Sequence, residues 1–273
     1  MRNVELRYGA TTDVGLVREV NEDSFLADPP VFVVADGMGG HEGGDVASAI
    51  VVEEFAALAG QDYDVRTGAE KIAATLGVCQ RRIAEYGARQ EGARRRRWYA
   101  GTTAVVALLV HDEDGPRWLV ANLGDSRAYR LGPDGLERVS VDHSLVQELV
   151  DAGRISEGEA ATHPERHVIT RALGGPDLAE ADYFHLPLAS AARLLLCSDG
   201  VTGMLDDAAV EAILDETDDP REAADGLVGA AVSAGGEDNA TAVVVDVVGW
   251  AADSADDSRG QRESQEDELG AVP

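Results

Sequence analysis

Four aspartates stand where an apolar stretch meets glycine or asparagine: Asp36 in VFVVADGMGG, Asp125 in NLGDSRAYR, Asp199 in RLLLCSDG and Asp238 in GGEDNATAVVV. A carboxylate at the rim of a sheet is held by the core yet open to solvent, and several together make an oxygen-ligand set. Such sets suit hard divalent cations, Mg2+ or Mn2+, which prefer carboxylates, carbonyls and water to imidazole or thiolate. Any one of the four, taken singly, reads better as an ordinary turn. Four of them, each against a strongly apolar segment, favour a metal cluster. The stretch GLVREVNEDSFLAD adds Arg18, Glu22 and Asp23. A guanidinium offers a planar fork of donors that matches phosphate, and a glutamate can hold metal-bound water; taken alone, the stretch reads better as a solvated charged segment.

Positioning these groups falls to elements that periodicity suggests. Strands are expected at 31–36, 102–110, 117–124, 126–132, 193–199 and 240–248, all rich in Val, Leu and aromatics. Turn residues in DEDGP and GPDG make 102–140 read as an antiparallel meander. Helices are expected at 44–59, 68–89, 143–152, 206–215 and 220–234. Strands and helices come in blocks rather than in strict alternation, which points to an α+β fold.

Composition excludes several classes. A net charge of −28 disfavours binding to nucleic acid or to an anionic membrane surface. No apolar run approaches the roughly 20 residues of a membrane helix, and MRNVELRYGATTDVG has no apolar signal-peptide core, so a cytoplasmic location is expected. Cys79 and Cys197 form no CxxC pair and are expected to be buried and inert. From about residue 250 the chain is acidic and poor in large apolar residues, which predicts a disordered tail over 250–273 behind one domain at 1–249.

In order along the chain, RxxNEDS at 18–24, ADGMGGH at 35–41, GTTAV at 101–105, GDSRAYR at 124–130, DHSL at 142–145, ITRALG at 169–174, CSDG at 197–200 and GEDNATAVV at 236–244 resemble the bacterial metal-dependent serine/threonine phosphatases of the PPM family, protein phosphatase 2C type. The resemblance implies a four-layer α/β/β/α sandwich, two antiparallel sheets flanked by helix pairs, with metals at one end between the sheets. It implies that Asp36 bridges two Mn2+ or Mg2+ ions, that Asp199 and Asp238 complete the first ion's ligands, and that the Gly37 carbonyl serves the second, with waters ordered by Glu22 and supported by Asp23. Asp125 with Asp199 resembles a weaker third metal site, and Arg18 matches the arginine that receives substrate phosphate. The implied reaction is hydrolysis of phosphoserine or phosphothreonine in proteins by a metal-activated bridging water, with no covalent phosphoenzyme. Implied partners are phosphoproteins, a serine/threonine kinase among them, and the protein is expected to act as a monomer. Met38 stands where eukaryotic members carry a histidine, so the general acid is open; His41 is one candidate, and the remaining histidines read as surface or structural, with His143 favoured for local hydrogen bonding. Segment 153–168 resembles the family's flap beside the active site.

Rival chemistries fare worse. A cysteine phosphatase needs Arg six positions after Cys, but Gly203 follows Cys197 and Glu85 follows Cys79 at that distance. Ser126 in GDSR has no convincing histidine partner for a serine hydrolase, and there is no GxxxxGK[ST] loop. A phosphatase-like binding or sensor module with weak catalysis and a two-metal phosphodiesterase remain alternatives; retention of Asp36, Asp199 and Asp238 argues for an active enzyme. The arginine cluster at 94–97 reads as a solvated loop or as a docking patch for an acidic partner.

Overall fold

The protein is described by a computed structural model covering residues 4–39, 43–94 and 100–250. His41, most of the arginine cluster and the acidic tail lie outside the described residues.

Two five-stranded antiparallel sheets form the centre. One holds β1 (Val4–Asp13), β12 (Ala240–Trp250), β11 (Arg193–Cys197), β8 (Arg127–Gly132) and β9 (Gly135–Arg138), in that order. The other holds β10 (Asp182–Pro187), β7 (Gly115–Leu123), β6 (Ala104–Asp112), β3 (Val31–Ala35) and β2 (Ser24–Asp28). Both faces of each sheet are covered, so the inner strands carry continuous apolar runs whose alternate residues enter different cores. Val31, Val33 and Ala35 pack outward with Ile50, Val51 and Phe55 of α1 (Gly44–Ala56) and Ile72 and Leu76 of α2 (Val65–Arg94). Phe32 and Val34 face the space between the sheets, where they join Trp118, Leu194, Leu196, Val243 and Val245. On the far side Leu195, Cys197, Ala242 and Val244 meet Val210 and Leu214 of α6 (Asp207–Glu216) and Leu227 and Val228 of α7 (Pro220–Ala234). Three stacked cores thus build the expected α/β/β/α sandwich.

Two expectations need correction. The segment 102–140 is not one meander, because β7 and β8 belong to different sheets. The chain crosses between them at Gly124–Ser126, where Gly124 has φ of 118° and its N–H donates to His143 Nδ1 at 3.1 Å. Asp199 does not end a strand: β11 stops at Cys197, and Asp199 opens the short helix α5 (Asp199–Thr202). Short helices α3 (Leu145–Asp151) and α4 (Glu157–Ala160) precede β10, and Ser156 and Glu159 form a capping box on α4. No helix among the described residues is long and apolar enough to cross a membrane.

Candidate active site

Asp36 leaves β3 at the end of the sandwich and is clamped through its backbone. Its N–H donates to Thr103 Oγ1 at 3.0 Å, its carbonyl accepts from the Thr103 N–H at 2.9 Å, and Thr103 Oγ1 lies 2.7 Å from Ser126 Oγ. Gly37 and Met38 then pair with Gly101 and Thr102 as strands β4 (Gly37–Met38) and β5 (Gly101–Thr102). Two of the cleft aspartates, Asp36 and Asp199, are followed by glycine, and both glycines answer to crowding. A Cβ on Gly37 would sit 2.3 Å from the Glu22 carbonyl oxygen and 2.4 Å from that of Gly44; one on Gly200 would sit 1.9 Å from the Asn239 carbonyl oxygen. Backbone passes too near for any side chain.

Asn239, buried, ties the remaining strands of the site together. Its Oδ1 accepts from the Glu22 N–H at 2.8 Å, and its Nδ2 donates to the carbonyls of Val14 and Val20, both at 3.0 Å. The Asn239 N–H donates to Asp238 Oδ1 at 2.8 Å, while Asp238 Oδ2 accepts from Arg18 Nη2 at 2.6 Å. Asp23 sits behind the cleft, its Oδ2 accepting from Ser198 Oγ and Thr241 Oγ1, each at 2.7 Å. One cleft of about 500 Å³ is lined by Arg18, Glu22, Asp36, Gly37, Asp125, Asp199 and Asp238. The seven residues singled out for site chemistry therefore come together at one place. Sequence reasoning missed Thr103, Asn239, Ser198 and Thr241, whose roles are hydrogen bonds between distant segments. It also set His167 aside as surface or structural; His167 lines the cleft, with Nδ1 3.8 Å from Asp199 Oδ2. The candidate flap had pointed to that segment. His143 does not bond locally: its Nδ1 accepts from the Gly124 N–H and its Nε2 lies 3.2 Å from Asp182 Oδ2, so the ring ties distant segments; both thiols are buried and pushed up to about 12 by that burial, which leaves them inert.

The electrostatics are those of crowded acid. Burial, then repulsion from Asp23, Asp199, Asp125 and Asp238, raises the Asp36 carboxyl well above the usual range. Burial and Asp199 push Asp125 up to about 8, and burial pushes Asp23 up to about 7 against the lowering effect of its two hydroxyl donors. Glu22 is raised by burial and by Asp45. Among the described residues no cation forms an ion pair with Asp36 or Asp125, and the buried Asp125 Oδ1 has no hydrogen-bond partner. That donor set is all oxygen, strongly negative and incompletely satisfied, which fits hard divalent cations. Among the described residues no three acidic, histidine or cysteine side chains stand at the mutual spacing of a finished metal centre. The carboxylates ring the cleft, with Asp238 turned onto Arg18.

The family model described as protein phosphatase 2C matches residues 18–233. A serine/threonine phosphatase stp of Listeria innocua is 36% identical over 247 residues, covering 86% of this chain and 93% of the relative. The serine/threonine protein phosphatase PstP of Mycobacterium tuberculosis is 38% identical over 257 residues, which is 90% of this chain and 46% of the longer relative. A solved catalytic domain of PstP in complex with two manganese ions superposes with a TM-score of 0.73 at 34% identity, covering 90% of this chain and 99% of that one.

Proposed function

The chain belongs to the protein phosphatase 2C family, and we propose that it removes phosphate from phosphoserine and phosphothreonine in proteins with the help of divalent cations. The supporting observation is that aspartates from four separate stretches, at 36, 125, 199 and 238, line one cleft beside Arg18. In this reading Asp36 would hold Mn2+ or Mg2+ together with Asp199, Asp238 and the Gly37 carbonyl, and Asp125 with Asp199 would hold a further ion more weakly. When bound, the ions supply Lewis-acid charge stabilisation and ease the deprotonation of water.

The chain's own groups do the positioning. Arg18, half exposed at the rim, exchanges its contact with Asp238 for the substrate's phosphoryl oxygens, which its fork matches in shape and charge. Glu22, fixed through its N–H to Asn239, holds water at the Gly37 side of the cleft. The attacking water forms a bond to phosphorus, the bond to the serine or threonine oxygen breaks, and that oxygen departs with a proton. No side chain is phosphorylated. Residues 1–249 form the phosphatase unit and 250–273 an acidic extension; the unit works as a monomer in the cytoplasm on phosphoproteins, an opposing kinase among them. Turnover of p-nitrophenyl phosphate and of a phosphothreonine peptide, measured with and without Mn2+, tests the reading. Both substrates are expected to be hydrolysed only with the cation; metal-independent turnover, or cleavage of a diester in preference, would refute it.

A further inference from the structure

The loop between β1 and β2 presents large apolar side chains to solvent beside the cleft. Leu16 is 70% exposed, Val17 67% and Val20 54%, and Arg18, which lines the cleft, lies between them. This display is built into the backbone. Asn239 Nδ2 holds the carbonyls at both ends of the loop, Val14 and Val20, at 3.0 Å. The Leu16 N–H donates to the Gly236 carbonyl at 2.7 Å, and Gly15, at φ of 77°, packs so closely on the Asp238 carbonyl oxygen that a Cβ would lie 2.4 Å from it. A loop tied at three points to the segment that carries Asp238 cannot fold these side chains inward. Their exposure in a chain of net charge −28 marks a contact surface.

Resting on the phosphatase reading above, we infer that Leu16, Val17 and Val20 form an apolar shelf that grips a large apolar side chain of the substrate within two residues of its phosphorylated serine or threonine. Continuity with the cleft selects this occupant. A phosphoryl group held at Arg18 obliges the peptide on at least one side to run over the rim, and at about 3.3–3.6 Å per extended residue its next two side chains fall within reach of the loop. Exposed Glu237 lines the cleft and exposed Glu19 follows Arg18 in the loop, so acidic neighbours of the phosphoresidue are disfavoured there.

The test compares a phosphothreonine peptide carrying leucine at the two positions on either side with the same peptide carrying serine there, and uses p-nitrophenyl phosphate as the small substrate, all with Mn2+. The wild-type protein is expected to favour the leucine peptide by about tenfold in kcat/KM, mainly through KM. In the double variant Leu16→Ser, Val17→Ser that preference collapses while p-nitrophenyl phosphate turnover stays at the wild-type level, which also certifies the fold. A preference unchanged in the double variant, or an equal loss on all three substrates, overturns the shelf. So does a change in sedimentation with no change in peptide preference, which would assign the face to a second copy of the chain. Failure of the wild type on every substrate would instead refute the phosphatase reading itself.

Discussion

The two ends of strand β11 treat buried acid in opposite ways. At its start Arg193 grips Asp246 with two forks, Nε to Oδ1 at 2.7 Å and Nη2 to Oδ2 at 2.9 Å, and also donates to the carbonyls of Leu214 and Thr217. That contact raises the arginine further above its usual range. Past its end, Asp199 faces Asp36 and Asp125, neither of which any described cation pairs. The chain has the means to neutralise a buried carboxylate and uses them at the end that only holds the sandwich together. At the other end it supplies no cation of its own to Asp36 or Asp125, so their ionisation is opposed until a proton or an incoming cation offsets it. In the proposed reading, unpaired acid here marks function and paired acid marks structure.

Substitutions at the two ends should therefore differ in sign. The largest expected effect is Asp36→Asn, which lowers Mn2+-dependent turnover by more than about 100-fold while circular dichroism reports an intact fold. Next is Asp246→Ala, which strands the Arg193 guanidinium, 12% exposed, and lowers stability by about 3 kcal/mol in denaturant unfolding with little effect on turnover per folded molecule. Smaller, and opposite in direction, Asp36→Asn should raise the melting temperature of the metal-free protein, by about 1 kcal/mol in stability, because it removes a carboxyl whose ionisation burial and the neighbouring aspartates oppose. A fall in metal-free stability with Asp36→Asn would erase the contrast.

The smallest and most diffuse effect is on pH dependence. Asp23 at about 7 and Asp125 at about 8 sit above the 3.8 of a free aspartate, so the folded state keeps protons that the unfolded chain has lost. Their contribution to stability is present at low pH and disappears as pH rises towards those values. Metal-free protein should melt at a lower temperature at pH 8 than at pH 6. Mn2+ should flatten that slope by stabilising the ionised carboxylates, and Asp125→Asn should remove part of it. Thermal unfolding at the two pH values, with and without the ion, checks the sign.

The strands visible in the sequence are the inner ones. β3, β6, β7, β11 and β12 carry long buried apolar runs, and β8 was read from Ala128, Tyr129 and Leu131 between polar residues, whereas all four edge strands of the two large sheets, β1, β2, β9 and β10, went unseen. In β1 the alternation is confined to Val4–Tyr8, where Val4 and Leu6 pack on the core between the sheets, and it fades into the polar GATTD that follows, so no long periodic run marks the strand. The switch between sheets at Gly124 was invisible for a related reason: a tight polar turn looks the same whether it returns to its own sheet or crosses to another. Of the candidate site, the aspartates were legible because chemistry restricts their type and apolar strands flank them, whereas Arg18, in the loop between β1 and β2, was marked only by the family resemblance. Thr103 and Asn239 were not, since what they do depends on which distant backbone they meet. His167 lay in a segment suspected of bordering the cleft, but nothing in its spacing distinguished it from His163.

Anomalous diffraction at the manganese edge, from crystals grown with Mn2+, bears most directly on whether the unpaired end of the sandwich is a metal centre. Two strong peaks are expected inside the cleft, both within ligand distance of Asp36, one also bounded by Asp199 and Asp238 and the other by the Gly37 carbonyl. A cleft without peaks, or manganese bound only to carboxylates elsewhere on the surface, would contradict it.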